Sequence, residues 1–340
     1  PEQLLAPALP RPDRPTDVAG APPAVVVVER PVQLDLLDPA HETDPAPVVG
    51  TGPSPHLRNF ADVAEEQAAG YAAAAVDAVE ARRSSWTPLN LMAETARATR
   101  DVRTASVMDR MLLLDRTRDT ATDGLVALHD PAAVHPAHAW RAKWTSPAVL
   151  DAEQALLAAT QSPAAAIEES FVARVLDTAR TPTGDYYGLP DLSREQIAAV
   201  THLATQPARL RVLEGPAGSG KTTTLRALAV LWQARAGPGS VIGLAPSASA
   251  AATLQAALGV TCENTAKWLH ETTGPAGQQR AALAAQLLTA PAGRAVRGPL
   301  LRDVLAEQSR WTLPYRALLI VDDASLADTH TLAALTAQAQ

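Results

Sequence analysis

Between residues 215 and 222 the chain reads Gly215-Pro216-Ala217-Gly218-Ser219-Gly220-Lys221-Thr222. This fits the template G-x-x-x-x-G-K-[ST] at every fixed position. Arg209 to Glu214 before it reads as a short strand, and Thr222 to Arg235 after it reads as a helix. Strand, glycine loop and helix in that order constrain the local fold more than anything else in the chain. At average composition such a match arises by chance in roughly one chain in a hundred of this length. The chain has three lysines, Lys143, Lys221 and Lys267, and a lysine at the one position that needs it argues further against accident.

The residue types suit a polyphosphate. Gly215 and Gly220 let the backbone take shapes that a Cβ forbids. Successive N–H groups then turn inward as an anion nest, and the helix that follows adds its positive end. In that template Lys221 reaches the β and γ phosphates, and the Thr222 hydroxyl holds Mg²⁺. The nucleotide contacts are expected along Gly215, Pro216, Ala217, Gly218, Ser219, Gly220, Lys221, Thr222 and Thr223.

Ala317 to Asp323, ALLIVDD, is a short apolar run ending in two carboxylates. It reads as a buried parallel strand. Ligands of open α/β sheets sit at the carboxyl ends of their strands. Asp322 is therefore expected to bind a water of the Mg²⁺ shell near Thr222, and Asp323 to orient or activate an attacking water.

The length of 340 residues suggests two or three domains. Few aromatics and abundant alanine favour helix-rich cores. The formal charge of −7 and the lack of a basic run mean that any nucleic-acid surface is local. One cysteine, Cys262, rules out an internal disulfide framework and suits a reducing cytoplasm. No apolar run approaches a membrane span, and no secretory signal is visible. The chain begins at Pro1, not Met, which reads as a fragment.

Thirteen of the 28 prolines fall within residues 1–58, a stretch read as a largely disordered linker. Its exception is Ala24 to Leu37, which is expected at most as an edge strand because of Pro31. Residues 59–190 read as an α-helical segment. Its helices start at Asn59 and at the Thr87-Pro88, Ser146-Pro147 and Ser162-Pro163 signatures, and Ala179 to Pro190 is a connector. From 191 to 340 strands and helices alternate: a helix from Ser193, strands at 209–214, 240–245 and 317–322, and helices between them. That order implies an α/β fold with a parallel sheet covered on both faces.

Leu192-Ser-Arg-Glu-Gln196, Gly215–Thr222, Gly243-Leu-Ala-Pro-Ser-Ala248, Glu263 to Glu271 and Leu319 to Ser325 occur in one order. Together they resemble the opening motifs of superfamily 1 DNA helicases of the RecD-like branch. More narrowly they are similar to the motor of conjugative relaxase-helicases of the TraI/TrwC (MobF) type, in an actinobacterial form. Ser85-Trp86-Thr87, Trp144-Thr145-Ser146 and Ala152-Glu153-Gln154 resemble the helical segment before that motor. The resemblance implies a RecA-like P-loop NTPase sheet, here partial, with ATP and Mg²⁺ as cofactors and single-stranded DNA as partner. Relaxosome or conjugation proteins follow as further partners. It makes Gln196 an adenine-reading carboxamide, beside its residue-level reading as the end of a Ser193 capping box. It places Pro246 and Ser247 on the DNA backbone, where Ser247 also reads as a helix cap. It puts Thr265, Lys267 and Trp268 along the strand path, where Trp268 also reads as core.

The chain departs from that family in carrying Asp322-Asp323 where Asp-Glu is usual, and in ending at Gln340 before the later motifs and the arginine finger. The relaxase metal site and tyrosine nucleophiles have no counterpart: His135 and His138 read as a loop, Tyr186-Tyr187 as packing, and Cys262 as a small buried residue. The fragment is expected to bind nucleotide weakly and unwind nothing. Competing readings are a RecD-like repair helicase without a relaxase, a vestigial P-loop scaffold, and an unrelated P-loop kinase or transporter ATPase.

Overall fold

A computed structural model describes residues 23–29, 59–128, 142–179, 189, 191–289 and 297–339. His135, His138, Tyr186 and Tyr187, with most of the 1–58 segment, lie outside the described residues.

The elements in chain order begin with β1 (Ala24–Glu29), α1 (Glu65–Glu80), α2 (Pro88–Ala98), α3 (Val107–Thr122), β2 (Val126–Ala127), β3 (Trp144–Thr145), α4 (Pro147–Gln161) and α5 (Glu169–Ala179). Then come α6 (Arg194–Thr205), β4 (Leu210–Glu214), α7 (Lys221–Ala236), β5 (Val241–Ala245), α8 (Ala248–Leu258), β6 (Thr261–Asn264) and α9 (Thr265–Thr272). The chain finishes with α10 (Pro275–Thr289), α11 (Arg297–Arg310), β7 (Leu318–Val321) and α12 (Thr329–Ala337).

Contacts divide the molecule into two units, one holding 1–31, 156–326 and 334–340, the other 32–155 and 327–333. In the second unit α1, α2 and α3 pack on one another around Ala72, Ala75, Val79, Trp86, Leu91, Ala121 and Val149. Thr87 caps α2 by accepting from Asn90 N, with Pro88 in the first turn. Ser146 caps α4 in the same way, at 3.1 Å from Val149 N. Trp86 and Trp144 exchange both backbone hydrogen bonds at 2.9 Å, which joins two segments far apart in sequence.

The first unit is a five-stranded parallel sheet in the order β4-β1-β7-β5-β6. Its strands β5 and β7 are buried along their whole length, as their apolar runs require. Leu225, Leu228 and Leu231 of α7 share a core with Val26, Val28, Leu318 and Ile320. Ile167, Val172 and Val175, around and within α5, belong to the same core, so packing on the sheet begins well before residue 191.

Two expectations are corrected here. The first concerns β1, which is a central strand and not an edge strand, paired with β4 on one side and β7 on the other. Pro31 does not interfere, because the strand ends at Glu29 and the ladder asks nothing of a residue beyond its end. The second concerns Ser162-Pro163, which does not start a helix. Ser162 gives its hydroxyl to Ala158 O, and the backbone there pairs antiparallel with the chain entering β4: Ala164 N bonds Pro207 O and Arg209 N bonds Ser162 O. A short edge strand, β6, was not anticipated. Its outward N–H groups at Cys262 and Asn264 are covered by the Gln255 and Glu263 side chains, which blunts an edge that would otherwise pair with another chain.

Candidate nucleotide-binding site

β4 leads straight into the glycine loop, and α7 begins at Lys221 with Gly220 as its N-cap. Gly218 and Gly220 hold left-handed φ values of 78° and 77°, which side chains adopt at a cost. A Cβ on Gly220 would stand 2.1 Å from Gln196 Nε2, and one on Gly215 would stand 2.8 Å from Ser219 Oγ. Gly218 and Gly220 are thus the loop positions whose backbone favours glycine, and Gly215 and Gly220 leave room for the Ser219 and Gln196 side chains.

Lys221 folds back over this cradle. Its Nζ donates to Gly215 O at 2.5 Å and to Pro216 O at 2.9 Å. The ammonium stands at the loop's mouth on neutral carbonyls, partners that an anion would displace with a stronger charge-assisted bond. Thr222 and Thr223 lie in the first turn of α7, where N–H groups lack intrahelical acceptors. Thr222 is exposed to solvent.

Gln196 serves two structures at once. Its Oε1 accepts from Ser193 N at 2.9 Å while Ser193 Oγ accepts from Gln196 N at 3.3 Å, which completes the capping box of α6. The Nε2 of the same carboxamide donates to Ser219 O at 3.4 Å. The residue expected at the base thus stands against the glycine loop.

Asp322 follows the last residue of β7, and its N–H bonds Leu244 O at 2.9 Å. Asp323 turns the chain with φ 49°, a left-handed conformation that aspartate tolerates, and its carbonyl accepts from Leu326 N at 2.9 Å. β4 and β7 both end at the carboxyl edge of the sheet but are not neighbours, since β1 lies between them. Their tips stand about 10 Å apart at the usual strand spacing. α7, starting from the loop, packs on β7 and β5, so the helix that carries Thr222 crosses towards the acidic strand.

The groups present fit a magnesium nucleotide. The glycine cradle, the displaceable ammonium, a free helix start and a carboxylate at a strand tip are the parts such a ligand needs. Among the described residues no group of three or more His, Cys, Asp and Glu side chains could hold a metal ion. A Mg²⁺ here would depend on Thr222, Asp322 and the phosphate oxygens of the nucleotide itself.

The expected DNA contacts separate. Pro246 and exposed Ser247 stand between β5 and α8 at the same carboxyl edge, with Ser247 Oγ capping α8 through Ala250 N at 3.1 Å. Asn264, missed in the sequence, ties this corner to the next by donating to Pro246 O at 3.1 Å while it caps α9. A polar residue directly before a helical run was the readable signal. Thr265 is buried and gives its hydroxyl to Ala245 O, so it fastens α9 to β5 and does not present that group at the surface. Lys267 is exposed but paired with Glu263 at 2.6 Å. Trp268 is 3 % exposed, bonds Gln338 Oε1 and stacks obliquely on Trp311; it is core. Cys262 is half-buried beside Gly243, its thiol pushed up to about 11 mainly by burial, and so is a poor nucleophile.

No helix among the described residues is long and apolar enough to cross a membrane. None of the curated proteins compared with the chain matches it. Residues 191–340, the stretch that holds the cradle, Lys221, Gln196 and both carboxylates, match the model of an AAA domain.

Proposed function

We propose that residues 191–340 form the first nucleotide-binding wall of an ATP-driven motor that moves along single-stranded DNA, and that the motor belongs to a conjugative relaxase-helicase. The observation that carries the nucleotide reading is Lys221 held on Gly215 O and Pro216 O above a cradle with two left-handed glycines. In this reading Lys221 moves from the two carbonyls to the phosphates. Gln196 offers the base one donor and one acceptor. Thr222 and Asp322 hold Mg²⁺, Asp322 through water, and the metal supplies charge neutralisation at the phosphates. Asp323 positions the attacking water. Pro246, Ser247 and Lys267 face the DNA backbone, with Lys267 leaving Glu263 for a phosphate.

The DNA and relaxase parts rest on the motif order from Leu192 to Ser325. Titration with a fluorescent ATP analogue and Mg²⁺ tests the site, and ATP turnover with and without single-stranded oligonucleotide tests the motor. Turnover that DNA leaves unchanged removes the motor reading. No nucleotide binding by the wild-type chain removes the site, and a scaffold role would then stand in its place.

A further inference from the structure

The helical unit carries its elements in the order of a DNA reader. α1, α2 and α3 pack on one another, and β2 and β3 follow as an antiparallel pair whose second strand bridges back to Trp86. In helix-turn-helix proteins the second of two consecutive helices lies in the major groove, and here that place falls to α3. The residues of α3 do not suit the task. Its three arginines are all engaged within the unit. Arg110 donates to Thr99 O at 2.8 Å and to Ala96 O at 3.2 Å, Arg116 lies 5.5 Å over the Phe60 ring, and Arg118 pairs with Asp115 at 2.9 Å and Asp119 at 2.8 Å. Residues 99–123 carry five arginines and five aspartates, so they bring no net positive charge to a phosphate backbone.

What α3 turns outward is apolar. Leu113, Thr117 and Ala121 are its buried residues. On the opposite side Val107, Met108, Met111 and Leu112 are 78, 63, 55 and 43 % exposed. Positions i, i+1, i+4 and i+5 form one patch on a helix, here of roughly 400 Å², a size that on single chains marks an interaction site. The same face continues into Asp115 and Asp119, whose side chains are 52 % and 70 % exposed. Beside that end lies a cavity of about 770 Å³, lined among others by Pro88, Leu125 and Trp144 and by Glu65, Asp119 and Asp123. The face therefore runs from apolar to acidic, and its cation, Arg118, is already paired.

Sign and size choose the occupant. The acidic end repels nucleic acid and attracts a cation. The patch is about half of the ~800 Å² that each partner of a stable protein pair commonly buries, too little for a second copy of this chain to hold on this face alone. It matches the apolar stripe of one amphipathic helix.

We propose that the outer face of α3, from Val107 to Asp119, with the cavity at its acidic end, docks a basic amphipathic helix of a partner protein. Apolar side chains of that helix cover Val107, Met108, Met111 and Leu112, and a lysine or arginine enters among Glu65, Asp119 and Asp123. A cation there has carboxylates to bond and the Trp144 ring to lie against. The docking is independent of the nucleotide reading given above.

The test uses the whole chain. A display library of helical peptides about five turns long is selected on the wild-type protein and counter-selected on the Met108→Lys, Met111→Lys variant. Surviving sequences are expected to repeat apolar residues three and four apart and to carry lysine or arginine towards one end. A fluorescent copy of the most enriched peptide should bind Met111→Lys at least ~10-fold more weakly, the loss that goes with one buried methionine. It should bind the Asp119→Asn, Asp123→Asn variant about 3-fold more weakly, and that loss should fade in high salt. No surviving peptide, survivors without basic residues, or binding that Met111→Lys leaves unchanged overturns the proposal. A labelled DNA duplex that binds at physiological salt and is lost in the same variant overturns it too, and makes α3 a reading helix. So does a dimer, seen by sedimentation, that Met111→Lys dissolves. Should Met111→Lys fail to fold, the Asp119→Asn, Asp123→Asn variant decides in its place, and unchanged peptide binding there overturns the proposal.

Discussion

The two ends of β4 hold cations on main-chain carbonyls in opposite ways. Near the amino end Arg211 is 2 % exposed; its guanidinium donates to Leu203 O at 2.8 Å and to Ala165 O at 2.5 Å, and lies 5.5 Å over the Trp232 ring. Burial lowers its pKa to about 10, so it stays charged at neutral pH. Beyond the carboxyl end Lys221 also bonds two carbonyls, but at an open loop. The chemistry of the contacts is the same and the surroundings differ. A buried cation cannot leave acceptors that no water replaces. An ammonium at a solvent-accessible loop leaves its carbonyls at little cost. The first arrangement clamps α6 and the α4–α5 connection to the sheet, and the second holds a charge ready for an incoming anion.

The largest expected effect tests the open end. Lys221→Ala should lower nucleotide affinity by ~100-fold or more through loss of a charge-assisted phosphate contact. Stability should change by no more than about 0.5 kcal/mol, as for other positions outside the core. Calorimetric titration beside a thermal melt measures both, and a large melt shift would erase the contrast with Arg211. The buried end should answer in reverse. Arg211→Leu leaves two buried carbonyls without a donor and should cost about 3 kcal/mol of stability, read by urea unfolding, with nucleotide affinity of the folded protein retained.

A smaller effect belongs to the loop between them. Gly220→Ala places a methyl against Gln196 Nε2 and asks alanine for φ 77°, which should cost about 1–2 kcal/mol. In the Gly220→Ala, Gln196→Ala double variant the steric part should be relieved, so the two losses should not add. Strict additivity would show that Gln196 does not crowd the loop.

A third cation pair, at the surface, gives the weakest case. Arg235, at the end of α7, bonds Glu168 through two nitrogens at 2.9 Å. The hydrogen bond from Arg235 lowers Glu168 from its usual 4.5 to about 2. A depressed carboxylate stabilises the fold above its unfolded pKa, and that contribution fades as pH falls from about 4.5 towards 2. Glu168 is half exposed, so the effect is bounded at about 1 kcal/mol. Glu168→Gln should lower the melting temperature slightly at pH 7 and leave it unchanged near pH 2. Asp323→Glu should change least: ATP turnover should hold or rise, and a large fall would remove Asp323 from its proposed role.

Local chemistry made much of this legible. The helix caps at Thr87, Ser146, Ser193 and Ser247 sit where their side chains said, because a cap is a contact between residues three apart. β5 and β7 were legible because strands buried on both faces are continuously apolar. Ser162-Pro163 misled because the same dipeptide serves a turn, and the partner that selects the turn, Pro207 to Arg209, is remote in sequence. β6 carries too few apolar residues to announce itself, and its strand state depends on pairing with β5.

The sequence by itself determined the glycine cradle and its lysine, since each of those parts is built from neighbours within one loop and one helix turn. Only the tertiary structure decided that Ala24–Glu29 lies between β4 and β7, that Trp268 is core, and that Arg211 is a clamp. Strand order and burial are set by which distant surfaces exclude water together, and no window of neighbouring residues contains both sides of such a contact.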